Sequence, residues 1–337
     1  MLHTRDQHRR PPSPRLMPPH DDEAPASPLA LEIEGLSKTY AGGVTALHGL
    51  DLRVGAGEFF GLLGANGAGK TTTIGIVTSL CRKSGGHVRV YGHDLDREPA
   101  EVRRLIGLCP QEINFNLFET VEDILTNQAG FYGVPRRVAR TLITRILEQL
   151  DLGAKRRAVA RTLSGGMKRR LLIARSLVHD PRLVILDEPT AGVDVEMRRD
   201  TWAFLRRLNS EGRTIILTTH YLEEAEHLCD RIAILDHGRL LTVGPRRELL
   251  TRLAEEVYLF DLDSTAAGLP PPPPGVRWRT LDPHTLEVFV ARDTDLTTLF
   301  LRLAEAGLRV RSLRNRANRL EELFLHLTAR PAEAPVP

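Results

Sequence analysis

A glycine-rich octapeptide carries the strongest chemical signal in this sequence. It matches the phosphate-binding pattern G-x-x-x-x-G-K-[ST] at every fixed position, and it consists of Gly64, Ala65, Asn66, Gly67, Ala68, Gly69, Lys70 and Thr71. In such loops the backbone N–H groups face a polyphosphate, and the glycines let the main chain approach without Cβ clashes. Lys70 would reach the β- and γ-phosphates, and the Thr71 hydroxyl would face Mg²⁺. The octapeptide, with Thr72 beside it, therefore predicts a nucleoside triphosphate site.

The residues on either side of the octapeptide fit a strand–loop–helix unit. Glu58–Leu63 is a short apolar run of the kind found in buried strands. In Thr72–Val77, apolar residues at 74 and 77 fall on one face of a helix. The positive end of that helix would point at the same phosphates. A chance match in a glycine-rich turn is the alternative, and the predicted strand and helix argue against it.

Two adjacent carboxylates follow another buried-type strand. Leu183–Leu186 is a continuous apolar run, and Asp187 and Glu188 come directly after it. Asp187 would hold Mg²⁺ directly or through water, and Glu188 would polarise a water for in-line attack on the γ-phosphate. A surface acidic pair is the alternative, but the apolar run before it favours the edge of a buried sheet.

A second glycine-containing turn lies at a predicted helix start. The helix is predicted to start at Ser164, Gly165 and Gly166, in a segment that continues to Arg170. The free backbone N–H groups of this turn would form an anion-binding site. A chain with one phosphate loop does not need a second anion-binding turn to bind one ATP. We therefore expect this turn to contact the ATP bound by a second subunit, the alternative being an ordinary Gly-Gly helix start.

Four single residues gain meaning only from their positions in the chain. Gln111 follows a buried strand and would touch Mg²⁺ or the attacking water, and His220 ends a strand and would bond the γ-phosphate. Tyr40 would stack on adenine, and Asp194 would lie at the seam between subunits. Taken alone, the first three are also consistent with a loop glutamine, a strand-end histidine and a half-buried aromatic residue.

Composition limits the class of protein. The chain has 337 residues, with 42% hydrophobic and 26% charged residues, which suits a globular protein of about two domains. A net charge of +3 is too small for a general polyanion binder. Cys81, Cys109 and Cys229 have no metal-site spacing and are expected to be buried in a reducing compartment. No apolar run of about 18 residues and no secretory signal are present, so the chain is not expected to cross a membrane.

Segment by segment, the sequence predicts an α/β protein with an appended α+β domain. Residues 1–29 are proline-rich and are expected to be disordered. Residues 30–247 form the nucleotide-binding domain, with an antiparallel β layer, parallel strands and a mostly helical insertion at 112–180. Residues 248–329 are expected to form a small α+β domain for packing or dimer contact, and residues 330–337 a tail. The polyproline run at 270–274 is interpreted as a loop spacer, the alternative being a ligand for a proline-binding domain.

In this order, the motifs resemble those of the nucleotide-binding subunits of ATP-binding cassette (ABC) transporters. The likeness covers about residues 31–245. Residues 64–71 match the Walker A motif, Gln111 the Q-loop and residues 163–167 the signature. Residues 183–188 match the Walker B motif, Asp194 the D-loop and His220 the H-loop. Residues 114–120 and 318–324 are similar to those of stand-alone drug-export and nodulation-type ATPases, especially the YadG-like branch. Ala65 and Met167 depart from the usual Pro and Gln of the family, and neither change removes a phosphate contact.

The resemblance implies a P-loop NTPase core of ABC type and an exporter's ATPase subunit that uses ATP and Mg²⁺. Two copies would clamp ATP between the Walker A face of one and the signature face of the other. The helical insertion, near residues 112–122, would grip a separate membrane permease at the cytoplasmic face of the inner membrane, and no nucleic acid is expected. The alternatives are a soluble ABC-type ATPase acting on DNA or ribosomes, whose coiled coils, zinc cysteines or second cassette are not seen, and a poorly hydrolysing regulator.

Overall fold

The computed structural model describes residues 28–251, 255–266, 268–291 and 294–316, together with Leu320, Leu323 and Leu327. The predicted N-terminal tail, apart from Pro28 and Leu29, lies outside these residues, as does the tail at 330–337. The described chain forms one four-stranded sheet and one six-stranded sheet before residue 247, and a further four-stranded sheet after it.

Residues 29–109 form six strands and two helices. The elements are β1 (Leu29–Thr39), β2 (Thr45–Gly55), β3 (Phe59–Gly64), α1 (Lys70–Val77), β4 (Gly85–Val90), β5 (His93–Asp94), α2 (Pro99–Leu105) and β6 (Ile106–Cys109). The apolar run at 105–109 predicts a strand from Leu105, but the strand begins one residue later, because Leu105 ends α2. Helix α2 is not among the predicted elements, although Pro99 at its start and Glu101 in its first turn are helix-start signals.

The predicted helical insertion is helical in the structure. It contains α3 (Val121–Phe131), α4 (Arg136–Gln149) and α5 (Gly165–Leu177). Thr120 and Asp123 in the sequence are a helix-capping signal, and in the structure the Thr120 hydroxyl accepts a hydrogen bond from the Asp123 N–H at 3.2 Å. Ile143, Ile146 and Leu147 of α4 are buried, as the apolar spacing predicts. The boundaries of this insertion as a subdomain stay a prediction.

A mostly parallel sheet lies at the centre of the molecule. The chain completes it with β7 (Leu183–Asp187), α6 (Val195–Ser210), β8 (Thr214–Thr218), α7 (Leu222–Leu228), β9 (Arg231–Asp236), β10 (Arg239–Pro245) and α8 (Arg246–Thr251). The strand order is β10-β9-β3-β8-β7-β6, and only β10 runs antiparallel to its neighbour. Every residue of β3, β7 and β8 is buried, as expected for strands covered on both faces.

An antiparallel sheet in the order β2-β1-β4-β5 covers the phosphate-loop helix from the other side. Ile33 of β1 pairs with Leu52 of β2 and Val88 of β4, so alternate residues face one core. Ile74 and Val77 of α1 belong to that core. The predicted β layer ahead of the phosphate loop is therefore present, and with the central sheet it confirms the predicted fold class.

The C-terminal part is a sheet covered by one helix. Its elements are β11 (Glu255–Leu262), β12 (Val276–Asp282), β13 (Thr285–Ala291), α9 (Leu296–Glu305) and β14 (Val310–Asn315), with strand order β12-β13-β11-β14. Leu299 and Leu303 of α9 are fully buried against one face of the sheet. Strand β14 is not predicted by the sequence, because its residues after Val310 are exposed and show no apolar alternation.

The chain returns to the nucleotide-binding part after this sheet. Leu320 and Leu323 are buried in the hydrophobic core that also contains helices α3 to α5, whereas Phe324 lies outside the described residues. Two cysteines, Cys109 and Cys229, are buried as predicted, but Cys81 is only part-buried. In the part of the chain that the structure describes, every helix is too short or too polar to cross a bilayer.

Candidate nucleotide-binding and hydrolysis site

The octapeptide forms the predicted turn between β3 and α1. Gly67 and Gly69 have φ angles of +82° and +105°, in the region that favours glycine. A Cβ atom on Gly69 would lie 2.8 Å from Cδ2 of Leu47 and 3.0 Å from the carbonyl oxygen of Ala46. Glycine is therefore required here both by backbone conformation and by the close approach of β2.

Lys70 is buried at the first turn of α1. Its ammonium group donates hydrogen bonds to the carbonyl oxygens of Gly64 at 2.7 Å and Ala65 at 3.1 Å. Burial lowers the pKa of Lys70, and the carboxylates of Glu188 and Asp187 oppose that shift. The cation is thus held inside the phosphate loop, facing the paired acids across the site.

An open cleft of about 500 Å³ brings most of the predicted residues together. Its predicted lining residues are Asn66, Gly67, Gly69, Lys70, Thr71, Thr72, Gln111, Asp187 and Glu188. Val44, Thr45, Ala46, His48 and His237 also line it, and the sequence analysis does not include them. These additional residues come from β2, from Val44 directly before it and from the β9–β10 turn, which approach the loop only through the tertiary fold.

The two carboxylates lie where β7 ends. Asp187 and Glu188 are each 8% exposed, and the hydroxyl of Thr218 on β8 donates a hydrogen bond to the Asp187 carboxylate. Glu188 has a φ angle of +49°, which is unusual for a residue with a side chain. Its N–H donates to the carbonyl oxygen of Thr218 at 2.9 Å, which anchors the turn to the neighbouring strand.

The three predicted catalytic side chains meet at one carboxylate. Nε2 of Gln111 donates to Oε2 of Glu188 at 2.9 Å, and Nδ1 of His220 lies 2.9 Å from Oε1 of the same group. Gln111 follows β6, Glu188 follows β7 and His220 follows β8, which are neighbouring parallel strands. The carboxyl ends of these strands meet at one edge of the sheet, and this explains the convergence.

Tyr40 lies beside the phosphate loop. Its hydroxyl is 3.2 Å from Oγ1 of Thr72, and the ammonium of Lys38 lies 4.8 Å from its ring centroid. The ring is 43% exposed and is not part of the cleft lining. Stacking of this ring on adenine therefore stays a prediction.

The signature turn and the D-loop residue lie outside the cleft, and Ser164, Gly165, Gly166 and Asp194 line no part of it. Ser164 and Asp194 are helix caps that accept hydrogen bonds from the N–H groups of Met167 at 3.3 Å and Met197 at 2.8 Å. Met197 packs directly on Gly166, so the starts of α5 and α6 are in contact. Their predicted role at the ATP of a second subunit stays a prediction.

The turn between β9 and β10 supports the phosphate loop from outside. The N–H of Gly238 donates to the carbonyl oxygen of Ala68 at 3.0 Å, and the N–H of His48 donates to the carbonyl of Gly238 at 3.0 Å. A Cβ atom on Gly238 would lie 2.3 Å from the carbonyl oxygen of Ala46. In the sequence, Asp-His-Gly signals only a hairpin, because these contacts join segments far apart in the chain.

A phosphate loop beside paired carboxylates, on a mostly parallel sheet with an added antiparallel layer, defines a P-loop ATPase. The family model described as ABC transporter matches residues 47–191. The daunorubicin/doxorubicin resistance ATP-binding protein DrrA of Streptomyces peucetius is 39% identical over 320 residues, 90% of this chain and 94% of that protein. The Nod factor export ATP-binding protein I of Ralstonia nicotianae is 38% identical over 306 residues, 89% of this chain and 94% of that protein.

Solved structures agree with these matches. The dimeric post-hydrolysis ATP-binding cassette MJ0796, bound to ADP and phosphate, has 26% identity and a TM-score of 0.58, covering 64% of this chain and 98% of that one. The chain belongs to the family of ABC transporter ATP-binding subunits, and it is an ATPase of the exporter type. The family and the activity implied by the motifs are confirmed, and these relatives give no support to a DNA- or ribosome-acting ATPase.

Proposed function

We propose that two copies of this chain close around two ATP molecules and that hydrolysis powers export through a separate membrane permease. The observation that carries the proposal is the position of Glu188, which is held between Gln111 and His220 at the edge of the nucleotide cleft. The signature turn at 164–166 lines no part of that cleft, which fits a site that a second copy completes.

Each side chain in the cleft has a distinct role in this proposal. The loop N–H groups and Lys70 bind the phosphates, which replace the carbonyl oxygens that now accept from the ammonium. The Glu188 carboxylate accepts a proton from the attacking water as the water oxygen bonds to the γ-phosphorus and the bond from that phosphorus to the leaving ADP oxygen breaks. Gln111 and His220 hold that carboxylate in place, and His220 would turn to bond the γ-phosphate when nucleotide enters.

The oxygen atoms on this edge of the cleft fit a magnesium ion. Thr71 contributes a hydroxyl, Asp187 a carboxylate and Gln111 an amide oxygen, and these are the hard ligands that Mg²⁺ prefers. Because Nε2 of Gln111 is bonded to Glu188, its amide oxygen remains available. No group of three His, Cys, Asp or Glu side chains in the described chain could hold a metal by itself, so phosphate oxygens would complete the shell. The bound ion would neutralise phosphate charge.

The partner surface for a permease is proposed on the helical part. A groove of about 630 Å³ lies between residues 115–139 and Arg175, next to the loop that contains Gln111. Phe131, which lines the groove, is 88% exposed, and Phe118, in the chain between the lining residues Asn116 and Glu119, is 76% exposed, which is unusual for large apolar side chains. An amphipathic helix of a membrane permease would cover them. Binding there would hold this chain at the cytoplasmic face of the membrane as a peripheral subunit.

A mixing experiment tests the composite site. Lys70→Ala removes the phosphate loop cation, and Gly165→Glu places an acid at the signature turn, where a Cβ atom meets nothing within 4 Å of its own chain. Each variant alone should lose turnover. An equal mixture forms heterodimers with one intact site, and about a quarter of the wild-type rate should return. Full turnover by Gly165→Glu alone would contradict the proposal.

A further inference from the structure

Arg169 is a buried cation two residues beyond the signature motif at 163–167. It lies on α5, five residues after Ser164, and only 7% of its surface is exposed. In the described part of the chain its guanidinium group takes part in no ion pair of 4 Å or less. Its partners are backbone carbonyl oxygens, which is an unusual environment for a buried charge.

The guanidinium group connects two segments of the catalytic centre. Nε donates to the carbonyl oxygen of Pro189 at 2.7 Å, and Nη2 donates to the carbonyl of Glu188. Nη1 donates to the carbonyl oxygens of Gln111 at 2.6 Å and Pro110 at 3.2 Å. One side chain therefore holds the backbone of the base and the backbone of the glutamine bonded to it.

The turn held by Arg169 has a strained backbone. Glu188 is in the left-handed region at a φ angle of +49°, and such a conformation lasts only where its surroundings support it. The N–H of Glu188 is fixed by Thr218, and its carbonyl is fixed by Arg169. Hydrogen bonds to both the N–H and the carbonyl group of Glu188 thus stabilise its strained conformation.

We propose that Arg169 is the positioning residue that sets the distance between Gln111 and Glu188 and couples both to the signature helix. The inference rests on the proposed role of Glu188 as base. When the start of α5 closes on the nucleotide of a second copy, Arg169 carries that displacement to the carbonyls of Gln111 and Glu188. The base then reaches its working geometry only when the signature turn is engaged.

The chemistry of the side chain explains why arginine is suited to this position. A guanidinium group offers five N–H donors in a rigid plane, whereas a lysine ammonium is a compact group with three donors on a flexible stem. Lysine at position 169 would reach one segment or the other. Glutamine at position 169 would keep a polar side chain but would lack the positive charge and the planar set of N–H donors.

Steady-state kinetics of Arg169→Gln and Arg169→Lys test the inference. We expect kcat to fall about 10- to 100-fold for Arg169→Gln and less for Arg169→Lys. KM and the affinity for a fluorescent ATP analogue should change less than about threefold, because the phosphate loop is untouched. A folding defect would instead lower binding and kcat together, and near-ultraviolet circular dichroism measures folding independently.

Arg170→Gln is a matched control on the same helix. Arg170 points away from the cleft, with Nη1 3.4 Å from Oδ2 of Asp151 and Nη2 3.6 Å from Oδ2 of Asp200. The control removes the same charge and should keep kcat within about twofold of wild type. An equal loss of kcat in both variants would overturn the specific role of Arg169.

A double-mutant cycle separates positioning from general destabilisation. Because Arg169 sets the distance over which the Gln111 amide bonds Glu188, Arg169→Gln should cost less turnover in a Gln111→Ala background than in the wild-type chain, whereas independent effects would multiply. The inference would be overturned if the effects of the two substitutions multiply, or if Arg169→Gln keeps the wild-type kcat. Either result leaves the proposed function standing as long as Glu188→Gln fails to hydrolyse ATP. Full hydrolysis by Glu188→Gln would instead refute the proposed function.

Discussion

Nδ1 of His220 lies 2.9 Å from Oε1 of Glu188, although the two residues belong to different strand ends. Glu188 is buried and its histidine partner is about half exposed, so the pair joins the protected interior to the open cleft. In the proposed mechanism the imidazole would leave the carboxylate for the γ-phosphate without disturbing the sheet, because His220 lies beyond the end of β8.

Glu188→Gln should reduce ATP turnover about 10²- to 10⁴-fold, since the amide cannot accept the proton of the attacking water. ATP binding should persist, and ATP-bound dimers should accumulate on a sizing column. Glu223→Gln, an exposed neutralisation on α7, is the control and should leave both properties unchanged. Unchanged turnover in Glu188→Gln would refute the assignment of the base.

Lys70→Ala should lose nucleotide affinity, because the buried ammonium is the cation inside the phosphate loop. Titration of a fluorescent ATP analogue measures the change, and a loss of about tenfold or more is expected for a charged hydrogen-bond donor. Lys155→Ala removes an exposed lysine and is the control. Equal affinity in the two variants would show that Lys70 does not bind phosphate.

Gly69→Ala should destabilise the fold by about 1–3 kcal/mol, because alanine is strained at positive φ and its Cβ would press on Leu47. The same shift of the loop should weaken nucleotide binding. Urea unfolding and analogue titration measure both effects. Gly153→Ala, where a Cβ atom meets nothing within 4 Å, should be close to neutral, and a similar loss there would argue against the contact with β2.

Because His179 is largely buried, we expect the free energy of unfolding to decrease in mildly acidic solution. His179 stacks on Tyr132 with ring centroids 3.6 Å apart, and Nε2 lies 2.9 Å from the carbonyl oxygen of Ile106. Burial lowers the pKa of His179 from 6.5 to about 4. The unfolded chain therefore binds more protons between these values, and stability present above pH 6.5 is lost as the pH falls toward 4.

Urea unfolding across this pH range measures the effect. The loss should reach on the order of 3 kcal/mol in the native chain. It should be absent in His179→Gln, which cannot titrate, and present in His87→Gln, which changes an exposed histidine. An identical pH slope in the native chain and His179→Gln would show that another group is responsible.

Local patterns in the sequence were sufficient for the phosphate loop, the buried strands and the helix caps. The octapeptide 64–71, the apolar run before Asp187 and the Thr120 cap each depend on a few neighbouring residues. Strand β14 and helix α2 were missed because one is exposed and the other is short, so neither has a strong apolar period. The roles of the predicted nucleotide contacts remain to be tested by the experiments above.

Residue types at short spacing are enough to predict a nucleoside triphosphate site and to name the carboxylates suited to act there, because that chemistry is carried by a few neighbouring positions. The meeting of Gln111 and His220 at Glu188, the bonds of Arg169 to two of these segments and the position of the signature turn outside the cleft are visible in the folded chain alone. Those relations depend on the strand order β3-β8-β7-β6 and on the packing of α5. Strand order arises from pairing between distant segments, which no local spacing encodes.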